Sequence, residues 1–175
     1  MRRAGLAVVV IAASWLGWQW LFPSDEAQII ATLTRVAESL EGSAAADPAE
    51  ASRSAPAVGG LGRLAALQNE FTSDAIVNAG PPFERLLGRQ AIVGAAARIR
   101  VAARNLTVRF SDISVTVAGD RVSASASAAA EAEFDGADGR VFEARELDLR
   151  FSRQEGRWMI ASVTMVQAME RLDTR

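Results

Sequence analysis

Apolar positions follow a helical period through the first part of the chain and a period of two after about residue 105. Ser24 can cap a helix whose first turn carries Asp25 and Glu26, which suit the helix dipole. Ile29, Leu33, Val36 and Leu40 follow at spacings of 4, 3 and 4, forming one apolar stripe, and Gly42 ends it. Leu61 to Phe71 returns to helical spacing through Leu64 and Leu67. Ala75-Ile76-Val77 reads as a short extended piece, and Gly80-Pro81-Pro82 turns the chain. Behind Gly88 a further helix runs from Arg89 to about Arg104, with Ile92, Ala96 and Ile99 on one face.

From Asn105 the alternation becomes that of strands. Leu106, Val108 and Phe110 lie on one parity, and the apolar set then slips by one residue to Ile113, Val115 and Val117. Such a slip predicts a β-bulge at Ser111-Asp112. Ala118-Gly119-Asp120 makes a turn. Val122 to Phe134 places Val, Ala or Phe at every even position, and Gly136 to Gly139 turns the chain again. Leu147, Leu149 and Phe151 mark a third strand, and Gln154-Glu155-Gly156 leads into a fourth from Trp158 to Gln167. Helices followed by antiparallel strands on tight turns predict the α+β class.

The amino terminus has a different pattern. Met1-Arg2-Arg3 precedes Ala4 to Phe22, which holds no charge, and Pro23-Ser24-Asp25-Glu26 follows. Nineteen residues at helical rise cover roughly 28 Å, close to the hydrocarbon thickness of a bilayer. Arginines inside and acids outside predict a cytoplasmic amino terminus and an extracytoplasmic domain on the inner membrane. Trp15, Trp18, Trp20 and Phe22 would form the belt at the outer interface. A cleaved signal peptide, cut after Ala12-Ala13-Ser14, is the rival reading. It would leave that aromatic stretch as an exposed apolar amino terminus.

Residues 42–60, with two prolines and almost nothing to bury, read as a linker or long loop. The chain therefore divides into a cytoplasmic stub at 1–3 and an anchor at 4–22. A first helix, of the domain or of a stalk, occupies 24–41. The linker at 42–60 precedes the main part of the domain at 61–170, and a tail occupies 171–175.

Composition removes several function classes. The chain has 19 Lys and Arg, all of them Arg, against 21 acids, so no basic excess invites nucleic acid. It has no Cys, His or Tyr. Imidazole bases, thiolate nucleophiles, Schiff-base lysines and phenolic donors are all excluded. No catalytic residue, cofactor-binding residue or metal ligand is assigned. Gly59-Gly60-Leu61-Gly62 is no phosphate loop, since no strand precedes it and no Lys follows.

Three segments resemble the nuclear transport factor 2-like superfamily, the cystatin-like α+β roll that includes ketosteroid isomerase and polyketide cyclase relatives. Phe71-Thr72-Ser73-Asp74-Ala75-Ile76 is similar to the segment closing the second helix of these domains. Gly88-Arg89-Gln90-Ala91-Ile92 resembles the glycine-led start of their third helix. Gly156-Arg157-Trp158-Met159-Ile160 resembles their closing strand. The resemblance spans Ser24 to Val166 apart from the loop at 42–60. It implies a roll of helices packed in a curved antiparallel sheet, here behind a single transmembrane helix, with a pocket often open at one end. It does not imply activity, because the fold hosts enzymes, carriers and assembly domains. Enzymatic members usually work through Asp, His or Tyr in that pocket. Asp112, Glu131, Glu133 and Glu146 are the acids left here. Glu131 and Glu133 lie on the polar parity of their strand, where pairing with Arg145 or Arg150 is the simpler reading.

The last strand is apolar at both parities. Trp158 and Ile160, with Phe110 and Phe134, are expected in the core or pocket. Met159, Val163 and Met165 are expected on the opposite face, as a contact for another protein. The reading that follows is a non-catalytic, membrane-anchored accessory or assembly subunit of a larger membrane complex. Lipid contacts the anchor, other subunits contact the domain, and homodimerisation stays open. Secretion, respiratory and photosynthetic complexes are not distinguished. The alternatives are a binding protein for a small apolar ligand in the cone, and a carboxylate-dependent cyclase or isomerase. An uncleaved anchor predicts that mass spectrometry of the mature chain finds the sequence before Trp15 intact; an amino terminus at Trp15 would contradict it.

Overall fold

The structure, a computed structural model, describes residues 24–41, 56–78, 80, 85–136 and 139–166. Helix α1 spans Asp25–Leu40, and the Ser24 hydroxyl accepts from Ala27 N at 3.2 Å as its cap. The Ile29, Leu33 and Val36 stripe is buried against the sheet, so this helix belongs to the domain and is not a stalk. Helix α2 spans Pro56–Asn69 and therefore starts inside the stretch expected to be linker. Proline at a first helical position has no N–H to waste and a suitable φ, so Pro56 opens the helix instead of blocking it. Strand β1 spans Phe71–Asn78, and a two-residue β2 spans Leu86–Leu87. The segment expected to close a helix is thus a full strand. Its Phe71 and Ala75 face the core.

Helix α3 spans Arg89–Ala102. Gly88 precedes it at φ 80°, and a Cβ there would lie 3.4 Å from the Ser73 carbonyl oxygen. That backbone conformation and close approach account for the glycine. Strands β3 (Arg104–Val117), β4 (Ser123–Gly136), β5 (Gly139–Gln154) and β6 (Arg157–Val166) follow. The sheet order is β2-β1-β6-β5-β4-β3. All neighbours are antiparallel except β1 and β6, which run parallel, so the curved sheet is mixed. Glu155 and Gly156, both at positive φ, make the two-residue β5–β6 turn. In the β3–β4 turn the Asp120 carboxylate accepts from the N–H groups of Val122 and Ser123. These bonds, Val122 first, hold its carboxyl below the ordinary carboxylate value.

Bulges phase the sheet, and the β3–β4 register shifts first between Arg104 and Thr107, with Asn105 at φ 52°. It shifts again between Ser111 and Ser114, with Asp112 at φ 50°, as the slip in apolar parity predicted. A shift in the β5–β6 register corrects the reading of β6. Phe151 lies opposite Ile160, but Arg150 lies opposite Ser162, which makes Ala161 the extra residue. Parity reverses there. Val163 then pairs with Leu149 and Met165 with Leu147, on the face that carries Phe151 and Ile160. Of the three residues expected on the opposite face, only Met159, opposite Ser152, lies there. Val163 packs against the core, and the Met165 Cε lies 3.0 Å from where a Gly80 Cβ would stand.

The inner face of the sheet and the three helices share one core. It joins Ile29 and Leu33 to Leu67, Phe71, Ile92, Leu149, Phe151, Trp158 and Ile160. Ala124, Ala126 and Ala128 are buried beneath the helices, in keeping with close packing of small residues. The Trp158 indole N–H donates to Asp25 at 3.2 Å, as does Arg153, whose guanidinium stands 5.7 Å from the centre of the ring. This cluster holds the first turn of α1 on the β5–β6 hairpin.

The bulge predicts that Val163→Glu costs about 2 kcal/mol or more, because its carboxylate enters the core. Met159→Glu should stay within about 0.5 kcal/mol as an outer-face change. Thermal denaturation followed by circular dichroism checks this; a reversed order would mean that β6 does not turn at Ala161.

Candidate functional site

Where α3 crosses the sheet, Ala95 and Ala96 present only methyl groups, and the space is not fully taken up. A cavity of about 190 Å³ remains between α1, α2, α3 and the sheet. Leu33, Val36 and Leu40 of α1 and Leu67 of α2 form one wall. Ala95, Ala96, Ile92 and Ile99 of α3 form another. Phe71, Val77, Leu86, Phe110, Leu147, Leu149, Ile160 and Val163 form the sheet side. Every lining side chain is a hydrocarbon. None can donate or accept a proton or hydrogen bond.

The expected pocket residues separate. Phe110 and Ile160 line the cavity. Trp158 is buried away from it in the cluster with Asp25 and Arg153. Phe134 is half-buried on β4, near the β4–β5 turn, and is not part of the lining. Val163, expected at an outer interface, is a wall of the cavity instead.

None of the four candidate acids reaches the cavity. Asp112 is exposed on its bulge, and Glu146 is exposed on β5. Glu131 and Glu133 lie on the outer parity of β4. Glu133 pairs with Arg140 at 2.6 Å, not with Arg145 or Arg150. Among the described residues no group of three His, Cys, Asp or Glu could hold a metal ion. No helix among them is long and apolar enough to cross a membrane. The anchor expected at 4–22, with Trp15, Trp18, Trp20 and Phe22, lies outside the described residues.

Sequence reasoning missed the one buried acid among the described residues, Glu70, between α2 and β1. Its carboxylate is 5% exposed and accepts from Arg35 Nε at 2.9 Å and Nη2 at 3.0 Å. Arg157 stands 3.8 Å away. The Glu70 carboxylate, first through this hydrogen bond, raises the Arg35 guanidinium above its ordinary value. The partners are far apart in sequence, and Arg35 lies on the polar side of the α1 stripe, so no local pattern marks them. A surface cleft of about 350 Å³ beside them includes Gln28, Thr32 and Arg157. A wider one of about 770 Å³ lies between the start of α1 and the β3–β4 turn. With two Arg35 bonds directed at it, and a third from Arg35 to the Thr32 hydroxyl, Glu70 works as a structural counter-ion.

The comparisons with known proteins agree with this architecture. The sequence model of the SnoaL-like domain matches residues 56–164. No curated protein matches the chain in sequence. Among solved structures, a protein provisionally named an aromatic ring hydroxylase, from Novosphingobium aromaticivorans, is 18% identical with a TM-score of 0.63. That match covers 83% of this chain and 90% of the other. A provisionally named scytalone dehydratase from the same organism is 14% identical with a TM-score of 0.61, over 81% and 83% of the two chains. A provisionally named dehydratase of the nuclear transport factor 2-like family from Streptomyces avermitilis is 14% identical with a TM-score of 0.60, over 82% and 95%. At these identities the likeness is one of fold.

Removing Arg35 alone should leave Glu70 buried without its main partner. Arg35→Met is expected to cost roughly 2 kcal/mol, less than a fully buried pair because Arg35 is half exposed. The double change Arg35→Met with Glu70→Leu should recover most of that loss in urea denaturation. A double variant as unstable as the single one would show that the pair itself holds α1 to β1.

Proposed function

The chain belongs to the SnoaL-like domain family, and from that premise we propose that it binds a small apolar molecule in its cone without turning it over. One observation carries the reading: the cavity under α3 is lined wholly by hydrocarbon side chains. Its volume of about 190 Å³ falls below the roughly 300–1,000 Å³ of drug-sized sites. It is close to the ~150 Å³ of an apolar cavity that admits benzene. The ligand is therefore of the size of one aromatic ring or a short branched alkyl group.

Chemistry separates this reading from the enzymatic one that the names of the similar structures suggest. A dehydration or cyclisation needs one group to take a proton and another to stabilise the charge that develops. No lining side chain can do either. The apolar walls serve binding, which rests on water leaving both surfaces.

Residues 4–22 would hold this domain on the extracytoplasmic side of the inner membrane; that part of the proposal rests on the sequence pattern alone. The accessory-subunit role rests on the long loop and the Trp-rich anchor as well as on a second apolar face of β6. With Val163 and Met165 turned inward, the last of these falls away, and ligand binding takes first place.

Toluene is a suitable probe. Titrated into the full chain and followed by ligand-observed NMR, it should bind saturably. Ala96→Leu, which places three more carbons in the cavity, should weaken binding at least about tenfold while the melting temperature holds or rises. Absence of saturable binding, or binding indifferent to Ala96→Leu, would overturn the proposal.

A further inference from the structure

Two arginines converge on the single buried carboxylate of Glu70. Arg35 binds it through Nε and Nη2, and Nη2 also donates to the Thr32 hydroxyl at 2.9 Å, while Nη1 takes part in none of these bonds. Arg157 comes only to 3.8 Å, too far for a hydrogen bond. One carboxylate thus faces two guanidinium charges, and one unit of positive charge is left uncompensated. Glu38, one turn further along α1, is exposed and forms no ion pair among the described residues, so water screens it. The Arg35 and Arg157 side chains are 47% and 59% exposed, so a ligand in solution can reach both. They stand together in the wall of the surface cleft of about 350 Å³, with Thr32 and Trp158, and Glu70 is not part of that wall. On the α1 side Ala27 and Ala31 present only methyl groups, which leaves the cleft room.

We infer that this cleft binds a phosphate group, carried by a small phosphate ester or by a lipid headgroup. Glu70 and Thr32 hold the Arg35 guanidinium in place, so little freedom is lost when its remaining N–H groups bind. Guanidinium N–H groups and phosphate oxygens match in charge and geometry. Arg35 stands on α1 and Arg157 at the start of β6. Donors on two elements suit a tetrahedral anion, which offers oxygens in several directions, better than a planar carboxylate. The lining residues of α1 fall within its first three turns, and the stretch read as an anchor ends just before that helix, so a headgroup is one source of the phosphate. The site itself depends neither on the anchor nor on the cavity under α3.

Calorimetric titration of inorganic phosphate into the full chain in a neutral detergent, at constant ionic strength against chloride, tests the inference. Binding should be saturable, and Arg157→Gln should weaken it at least about tenfold. The Arg157 side chain makes no hydrogen bond among the described residues, so this variant should melt within about 3 °C of the original. Arg109→Gln removes the same charge from an exposed position on β3, outside the cleft, and should bind phosphate as the original does. Phosphatidylglycerol added to the micelles separates the two sources. Displacement of phosphate by the lipid supports a headgroup, and undiminished phosphate binding supports a soluble ester. Absence of saturable binding, binding indifferent to Arg157→Gln, or equal weakening by Arg109→Gln would each overturn the inference.

Discussion

Three helices lie on one face of the sheet, so that face must stay apolar along the whole length of every strand. A twisted, strongly curved sheet cannot meet this demand with uninterrupted alternation. Extra residues, among them one near Asp112 on β3 and a second at Ala161 on β6, restore the phase where it would otherwise fail. Without the second, Val163 and Met165 would leave the inner face and Ser162 and Thr164 would take their place on it. The closing strand thus determines both what the helices rest on and what the outer face presents.

The cavity follows from the same arrangement. Leu149, Ile160 and Val163 reach it from adjoining strands because the bulge aligns them, while α3 offers only Ala95 and Ala96 at the crossing. Large residues on the sheet opposite small ones on the helix should fill the space if the helix could settle closer. The first turn of α1 is held by Asp25 on Arg153 and Trp158, and its middle by Arg35 on Glu70. These polar contacts lie outside the cavity and fix the position of α1, which forms one of its walls.

Much of this fold was legible in the chain. The α1 stripe, the glycine before α3, the four long strands and the β3 bulge all follow from periodicity. The β6 bulge left the same trace, since Trp158 and Ile160 give way to Val163 and Met165 with one residue's slip. It was hidden because Met159 and Ala161 are also apolar and fill in the opposite parity. Helix α2 was read too short because its first turns, rich in Ala and Gly, carry little apolar periodicity that a pattern could register. The pair of Arg35 with Glu70 joins residues far apart in sequence, and an empty volume has no residue to announce it. Phe110 and Ile160 were found because both are large and lie on the inner parity; Phe134 shares that parity but lies too near the β4–β5 turn.

The central claim is that a dry, apolar space lies under α3, ready for a ligand without polar groups. Xenon enters such spaces and avoids polar, water-filled ones. A crystal of the protein pressurised with xenon should show an atom bounded by Phe71, Phe110, Ala96 and Ile160. Ordered water at that position, or side chains closing it completely, would contradict the account.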